Sequence, residues 1–214
     1  VNFDDSSFYI GQSLDNVYIK SKFEAENLIL NAIINGSNAF ILRVGNLMPR
    51  YSDGKFQENY MDNAYINRLQ TFLNIGYIPD YLLDGYLEFT PIDYTSDAIL
   101  KIIQHSNNTN RIFHIFNNNH LSIKDLLKIL NNFGITLNIL DANKFKNIIK
   151  NILNSKNSDI LNNLINDFDK NMNLAYDNKI TIKSDFTIKY LELCNFKWPN
   201  IDKNYIEKII QLLK

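Results

Sequence analysis

The stretch NVYIKSKFEAENLILNAIINGSNAFILRVGN, residues 16–46, predicts a helix followed by a buried strand. Good helix formers fill its first half without a proline, and Gly36 supplies a stop signal, so we expect a helix from about Asp15 to Asn35. The segment AFILRVGN at 39–46 is an apolar run that ends in a Gly-Asn turn, as is typical of a strand inside a sheet.

Strand-like and helix-like segments continue to alternate over the first two thirds of the chain. YLEFTPID at 86–93 and RIFHIFN at 111–117 have strand patterns, and each is followed by a helical pattern. This alternation predicts an α/β fold with parallel strand pairing. From about residue 141 to residue 214 the chain has mostly helical patterns, which predicts a helical lobe.

Composition excludes several classes of function. The chain has 214 residues, 45% hydrophobic and 21% charged, which is typical of a globular domain with a sizeable core. A net charge of −1 without a basic block argues against nucleic acid, and no apolar run approaches the roughly 20 residues of a membrane span. Three histidines without companion cysteines predict no metal site. The single cysteine, Cys194, fits a reducing cytoplasm.

A tyrosine and a lysine stand four residues apart in the predicted helix, so they lie on one face, about a turn apart. Tyr18, Lys22, Ala25, Ile29 and Ile33 form a single stripe whose later part is apolar. We therefore expect this stripe to pack inward, with the phenol and the ammonium at the edge of a buried surface.

Such a pair has a specific chemical use. A phenol can donate a proton to a carbonyl oxygen as hydride reaches the carbon, and a nearby ammonium favours the phenolate that remains. The ammonium can also bind ribose hydroxyls. The alternative is an ordinary tyrosine at a helix edge. A second Tyr-x-x-x-Lys, Tyr51 to Lys55, crosses an Asp-Gly turn dipeptide and therefore lacks helical spacing.

Motifs along nearly the whole chain share their residues and spacing with a known group of enzymes. They are YIGQ at 9–12, YIKSKFEAE at 18–26, LRVGN at 42–46, DGKFQ at 53–57 followed by Asn59, TPID at 90–93 followed by SDAI at 96–99, and KWPN at 197–200. With them the chain resembles the extended short-chain dehydrogenase/reductases. More narrowly, it resembles the C-terminal part of the terminal thioester reductase domains of nonribosomal peptide synthetases and carboxylic acid reductases.

The resemblance implies roles for individual residues. Tyr18 would be the catalytic proton donor, and Lys22 would act with it and bind the nicotinamide ribose of NADPH. Gly45 and Asn46 would form the turn beside the nicotinamide, where a glycine lets a backbone approach a ligand closely. The alternative for Gly45 and Asn46 is a plain turn at the end of a strand.

Other positions are weaker candidates. Gln12, Gln57 and Asn59 could contact substrate, although a solvated helix start also explains the last two. For Arg43 we favour a structural ion pair below the site over a direct contact. For Asp93 we favour a cap or loop anchor over a catalytic acid.

The chain lacks parts that such a reductase needs. None of its seven glycines has the GxGxxG or GxxGxxG spacing that cradles a pyrophosphate. The family also uses a Ser or Thr, on a strand well upstream of the tyrosine, that hydrogen-bonds the substrate carbonyl. Ser6 and Ser7 lie too close to Tyr18 to take this role, so we expect that this hydroxyl is missing. We therefore expect residues 1–140 to be the C-terminal portion of a truncated Rossmann-like domain. Alone, the chain should bind NADPH poorly and be inactive.

The resemblance also implies a function for the parent protein. It would be an NADPH-dependent thioester reductase that releases a carrier-bound acyl or peptidyl thioester as an aldehyde or alcohol. Its partners would be a carrier protein domain with its phosphopantetheine arm and the missing N-terminal half, and residues 141–214 would form the substrate and carrier-docking lobe. The alternatives are a nucleotide-sugar epimerase or dehydratase and a non-catalytic carrier-docking lobe.

Overall fold

Helices and short strands alternate through the computed structural model, which describes residues 2–11, 13–105, 112–155, 161, 168 and 181–213. Helices α1 to α7 of this described part are Val17–Ile34, Ala64–Ile75, Ile92–His105, Ile123–Asn132, Ala142–Leu153, Asp185–Leu193 and Lys203–Leu212. Strands β1 to β10 are Asn2–Phe3, Ile41–Val44, Leu47–Met48, Tyr77–Pro79, Tyr86–Leu87, Thr90–Pro91, Ile112–Ile115, Leu121–Ser122, Asn138–Leu140 and Thr181–Ile182. None of these described helices combines the length and hydropathy needed to cross a membrane.

Strand pairing is mainly parallel. β2 pairs with β7 in parallel, with Ile41 opposite Ile112 and Val44 opposite Ile115. Three further ladders, β1–β10, β3–β6 and β4–β9, are also parallel, and β5–β8 is antiparallel. β7 is buried at all four positions, which is typical of a strand covered on both faces. The prediction of an α/β fold with parallel strands is confirmed.

Local signals determine where α1 begins and ends. The Asn16 side chain accepts hydrogen bonds from the backbone N–H groups of Tyr18 and Ile19, which caps the helix at its first turn. The last turn is followed by Gly36 at φ 94°, a conformation that glycine adopts without steric cost. The predicted helix is therefore confirmed to within two residues at each end.

Among the residues that the structure describes, the core is divided into three clusters of buried side chains, and each draws on both sides of the predicted boundary at 140/141. α7 contributes Tyr205 to the first cluster, α5 contributes Phe145 to the second, and α6 contributes Leu191 to the third. The two portions therefore share their cores. Their division into a reductase portion and a docking lobe stays a prediction.

The KWPN segment at 197–200 is attached to the loop that follows β7. The side-chain amide of Asn117 donates to the Pro199 carbonyl at 3.0 Å, and that of Asn119 donates to the Trp198 carbonyl at 3.0 Å. The bond of Asn117 is buried, and that of Asn119 is partly buried. They join the end of the four-residue ladder to the chain just before α7.

Tyr205 offers a test of this packing, because its ring is fully buried and its hydroxyl donates to the Pro49 carbonyl at 2.7 Å. Burial raises the pKa of Tyr205, so the hydroxyl keeps its proton and remains a donor. Tyr205→Phe should lower the free energy of unfolding in urea by about 1–3 kcal/mol, because Pro49 keeps a buried carbonyl without its donor. Tyr9→Phe, at a 58% exposed residue, should change it by less than about 0.5 kcal/mol. Equal effects of the two variants would contradict this view of the core.

Candidate functional site

Tyr18 and Lys22 are neighbours on the first two turns of α1. The Lys22 Nζ atom lies 5.2 Å from the centroid of the Tyr18 ring, over its face. This is a cation–π geometry, in which the ring attracts the ammonium. The predicted placement of a phenol and an ammonium one helical turn apart is therefore present in the structure.

The expectation that the stripe of Tyr18 packs inward is wrong for this chain. Tyr18 is 69% exposed, Ala25 and Ile29 are exposed, and within the described part of the chain no residue of α1 is buried. The physical reason is the rotation of the helix. Its contact face carries Phe23, which stacks on the Phe8 ring at 4.6 Å between centroids, and Glu26, not the Tyr18 stripe.

Arg43 on β2 fixes the opposite face of α1. Its guanidinium makes a two-bond fork with Glu26, with Nε to Oε1 at 2.9 Å and Nη2 to Oε2 at 2.7 Å. It also donates to the Ser7 carbonyl at 2.8 Å and lies 4.7 Å from the centroid of the Phe3 ring. The interpretation of Arg43 as a structural ion pair is therefore supported by its contacts.

A buried histidine extends this network to the C-terminal part of the chain. Arg43 Nη1 donates to His114 Nε2 at 3.0 Å, and His114 Nδ1 donates to the Lys183 carbonyl at 2.6 Å. Because the guanidinium can only donate and the carbonyl can only accept, His114 is neutral with its proton on Nδ1. Its backbone N–H donates to Asp5 and Thr187, which also bond each other. Sequence reasoning missed this network.

The environment of His114 favours the neutral ring. Burial is the largest cause and lowers the pKa of His114 below its usual value. The Arg43 cation acts in the same direction, while the Lys183 carbonyl and the carboxylates of Asp5 and Glu26 oppose it. A proton added at Nε2 would face the guanidinium, so the network depends on the neutral form.

The turn at Gly45 and Asn46 is covered by a carboxylate. Glu88 Oε1 accepts from the Asn46 backbone N–H at 2.8 Å and from the Thr90 hydroxyl at 2.7 Å. A Cβ atom placed on Gly45 would lie 2.1 Å from Glu88 Oε1 and 2.6 Å from Phe116 Cβ. A glycine is therefore required here because protein side chains approach its backbone closely.

Sequence reasoning also missed Glu88. The available signal was a charged residue between Leu87 and Phe89 in a strand-like segment that is otherwise apolar. Leu87 and Phe89 line an apolar cavity of about 130 Å³ between α2, α4 and α7. Glu88 instead bonds the Asn46 turn, as the alternation of side chains along an extended segment requires.

The remaining candidates have local partners or lie outside the described residues. The Gln57 side-chain amide donates to the Asn59 carbonyl at 3.3 Å, and that of Asn59 donates to Asp62 at 3.0 Å. Both side chains are exposed, and their roles toward substrate stay predictions. Gln12 lies outside the described residues.

Asp93 anchors a loop, as the sequence analysis favoured. Its carboxylate accepts from the backbone N–H groups of Tyr51 at 2.9 Å and Ser52 at 3.0 Å. Burial raises the pKa of Asp93, but these hydrogen bonds outweigh burial and hold it below its usual value. Tyr51 and Lys55 lie in this non-helical loop, and the Tyr51 hydroxyl donates to Asp202 at 3.2 Å.

The cofactor-binding roles of Lys22, Gly45 and Asn46 stay predictions. The side chains of Lys22 and Asn46 are exposed and carry groups that could hydrogen-bond a ribose and a carboxamide, and the Asn46 amide also lies 3.5 Å from Glu88 Oε2. The sequence contains no glycine-rich phosphate loop, so the pyrophosphate has no cradle among these residues. Among the residues that the structure describes, no three His, Cys, Asp or Glu side chains are grouped to hold a metal ion.

The chain is similar to reductase domains among known proteins. The family described as "Male sterility protein", an NAD-binding family, matches residues 2–99. A thiolation-reductase di-domain from an archaeal non-ribosomal peptide synthetase is 30% identical, with a TM-score of 0.84 over 100% of this chain and 43% of that one. The aureusimine biosynthetic cluster reductase domain is 25% identical, with a TM-score of 0.81 over 100% of this chain and 54% of that one.

More distant relatives agree with this similarity. A linear gramicidin synthase from Brevibacillus parabrevis is 24% identical over 204 residues, which cover 92% of this chain and 4% of that protein. A putative epimerase from Burkholderia cenocepacia is 14% identical with a TM-score of 0.53, which shows a shared fold alone. The predicted resemblance to reductase domains of nonribosomal peptide synthetases is confirmed. The chain spans about half of the solved reductase structures that it matches.

The turn at Gly45 can be tested by substitution. Gly45→Ala should lower the free energy of unfolding by about 1–3 kcal/mol, because the added Cβ would overlap Glu88 and Phe116. Since the Glu88 carboxylate is the nearer atom, the cost of Gly45→Ala should be smaller in a Glu88→Ala background. Urea unfolding of the four proteins measures this coupling. Strictly additive effects would show that Glu88 does not occupy the space beside Gly45.

The His114 network predicts a loss of stability in mild acid. An unfolded histidine titrates near pH 6.5, and the folded pKa of His114 is lower, so the unfolded chain binds more protons between the two values. The free energy of unfolding should therefore be highest above about pH 6.5 and fall as the pH decreases toward the folded pKa, by up to about 1.4 kcal/mol for each pH unit.

Urea unfolding at pH 7.5, 6.5 and 5.5 measures this dependence, with two variants as controls. His114→Gln should flatten the dependence over this range, whereas His105→Gln, at an exposed histidine, should retain it. A wild-type protein that is equally stable at the three pH values would contradict the lowered pKa of His114.

Proposed function

We propose that this chain is part of an NADPH-dependent thioester reductase domain. In the complete domain, a carrier-bound acyl or peptidyl thioester would be released as an aldehyde, and a second reduction would give an alcohol. The observation that carries the proposal is the placement of Lys22 Nζ 5.2 Å from the Tyr18 ring, on a helix that leads into β2 and the Gly45 turn. The similarity of the whole chain to reductase domains supports it.

Tyr18 and Lys22 have complementary roles in the proposed reaction. The Tyr18 hydroxyl donates its proton to the carbonyl oxygen of the thioester, and Lys22 favours the phenolate that results. Lys22 would also hold the ribose of the cofactor through its N–H donors, and Asn46 would contact the nicotinamide. NADPH supplies the hydride to the carbonyl carbon when it is bound. The carbon–sulfur bond of the resulting hemithioacetal then breaks while its hydroxyl proton is transferred to sulfur, so that the aldehyde forms and the thiol of the carrier's arm leaves.

The exposed surface around Tyr18 indicates where the remainder of the domain would pack in this proposal. Among the described residues β2 pairs with β7 alone, so its other edge is open. Val17, Leu28 and Ile34 of α1 are 83%, 70% and 79% exposed, which is a large apolar area for a single helix. We assign this surface to a strand and a helix of the N-terminal half, which would also supply the phosphate loop and enclose Tyr18.

The proposed partner is a carrier protein domain with a phosphopantetheine arm. The archaeal structure joins a thiolation domain to a reductase, and this supports a carrier of the same kind for the present chain. Residues 141–214 would contribute to substrate binding and carrier docking. We propose the cytoplasm as the location, where NADPH and carrier proteins are available.

The alternative functions have less support. A nucleotide-sugar epimerase or dehydratase would share the fold, but that similarity is distant. A non-catalytic docking lobe would need neither an active tyrosine nor its lysine, and this chain has both Tyr18 and Lys22 in contact.

The test is consumption of NADPH with an acyl-pantetheine thioester. The 214-residue chain alone should give no turnover, and the complete reductase domain should be active. In the complete domain, Tyr18→Phe should lower kcat by about 10²–10⁴-fold, the usual contribution of a general acid, and Lys22→Met should reduce it comparably. Tyr51→Phe, in the other Tyr-x-x-x-Lys match, should retain activity. Full activity of Tyr18→Phe, or a complete domain that consumes no NADPH with the thioester, would refute the proposal. Turnover by the isolated chain would contradict only the expectation that the chain needs the rest of the domain for activity.

A further inference from the structure

Helix α1 contains two lysine–glutamate pairs with the same spacing, and only one of them is an ion pair. Lys20 Nζ lies 3.9 Å from Glu24 Oε1, four residues later. Lys22 and Glu26 are also four residues apart, yet no ion pair between them is present in the described part of the chain. The two pairs can therefore be compared within one helix, because the same i,i+4 spacing gives an ion pair between Lys20 and Glu24 but not between Lys22 and Glu26.

Arg43 accounts for the difference. It bonds both carboxylate oxygens of Glu26, at 2.9 and 2.7 Å. The side chains of Arg43 and Glu26 are 15% and 22% exposed, whereas those of Lys20 and Glu24 are 58% and 62% exposed. A two-bond guanidinium fork in a partly buried position is stronger than an exposed lysine contact, so Glu26 stays with the arginine.

Arg43 is in turn held in place by other contacts. The Ser7 carbonyl and His114 Nε2 accept from its Nη1 at 2.8 and 3.0 Å. The guanidinium therefore cannot follow Glu26 toward solvent without losing these bonds, and the fork keeps the carboxylate on the inner face of α1.

We infer that Arg43 is a positioning residue that determines the partner of Lys22. Tyr18 lies one helical turn before Lys22 and Glu26 lies one turn after it, so the ammonium cannot contact both. By occupying both oxygens of Glu26, Arg43 leaves Lys22 over the Tyr18 ring. The catalytic roles of Tyr18 and Lys22 in this inference rest on the proposed function. The choice of partner by Lys22 does not.

Loss of the fork should move Lys22 in a defined direction. In Arg43→Gln, Glu26 is released and becomes an i,i+4 partner for Lys22, as Glu24 is for Lys20. The ammonium is then drawn away from Tyr18 toward the next turn. In Glu26→Gln the same fork is broken, but no carboxylate is released. Glu26→Gln therefore shows the effect of losing the fork alone, whereas Arg43→Gln adds the competition of a free carboxylate for Lys22.

Amine acetylation of the 214-residue chain, followed by mass spectrometry, measures this competition. An ammonium paired with a carboxylate reacts more slowly, so the rate at Lys22 relative to Lys20 should fall about twofold in Arg43→Gln, the size of an exposed i,i+4 pair. It should keep its wild-type value in Glu26→Gln and return to that value in Arg43→Gln/Glu26→Gln. An unchanged ratio in Arg43→Gln, or the same change in all three variants, would overturn the inference.

The complete reductase domain gives a second reading. Arg43→Gln should lower kcat more than Glu26→Gln does, and the double variant should recover activity relative to Arg43→Gln alone. A purely structural clamp would make all three variants equally poor and would overturn the inference. If the acetylation pattern is found but Tyr18→Phe and Lys22→Met retain full activity, the choice of partner stands and the proposed function fails.

Discussion

The position of α1 depends above all on the bonds that Arg43 makes to it. From β2 it bonds Glu26 of the helix, the carbonyl of Ser7 and the ring of His114 on β7. No residue of α1 is fully buried in the described structure, so the directional bonds of the guanidinium, together with the stacking of Phe23 on Phe8, determine its rotation. That rotation decides that Glu26 faces the sheet and that Tyr18 faces outward.

The same dependence on side-chain bonds extends through the molecule because its ladders are short. Only β2–β7 reaches four residues in the described part of the chain, and the others have two or three. Loops are therefore fixed by side chains that bond distant backbone, as Asp93 does for the loop after β3 and Asn117 does for the segment before α7. Regular pairing alone would leave these segments weakly specified.

Several features that the sequence predicted correctly have local causes. Helix α1 follows from propensity, a cap and a glycine stop, and the contact of Lys22 with Tyr18 follows from helical spacing alone. The features that it missed join residues far apart in the chain. Asp5 bonds Thr187 across 182 positions, and Glu88 bonds the Asn46 backbone across 42. The prediction that the Tyr18 stripe packs inward was wrong for a related reason. Periodicity shows which residues share a helix face, but it does not show what covers that face.

The cavity between α2, α4 and α7 leaves apolar side chains of the core accessible to solvent. It is partly open, its volume is about 130 Å³, and its lining is almost entirely carbon. Water in such a site finds few hydrogen-bond partners, so a small apolar molecule that displaced this water would gain free energy by burying apolar surface. Because most of the lining belongs to three packed helices, such a molecule would bind the folded chain alone and would therefore stabilise it.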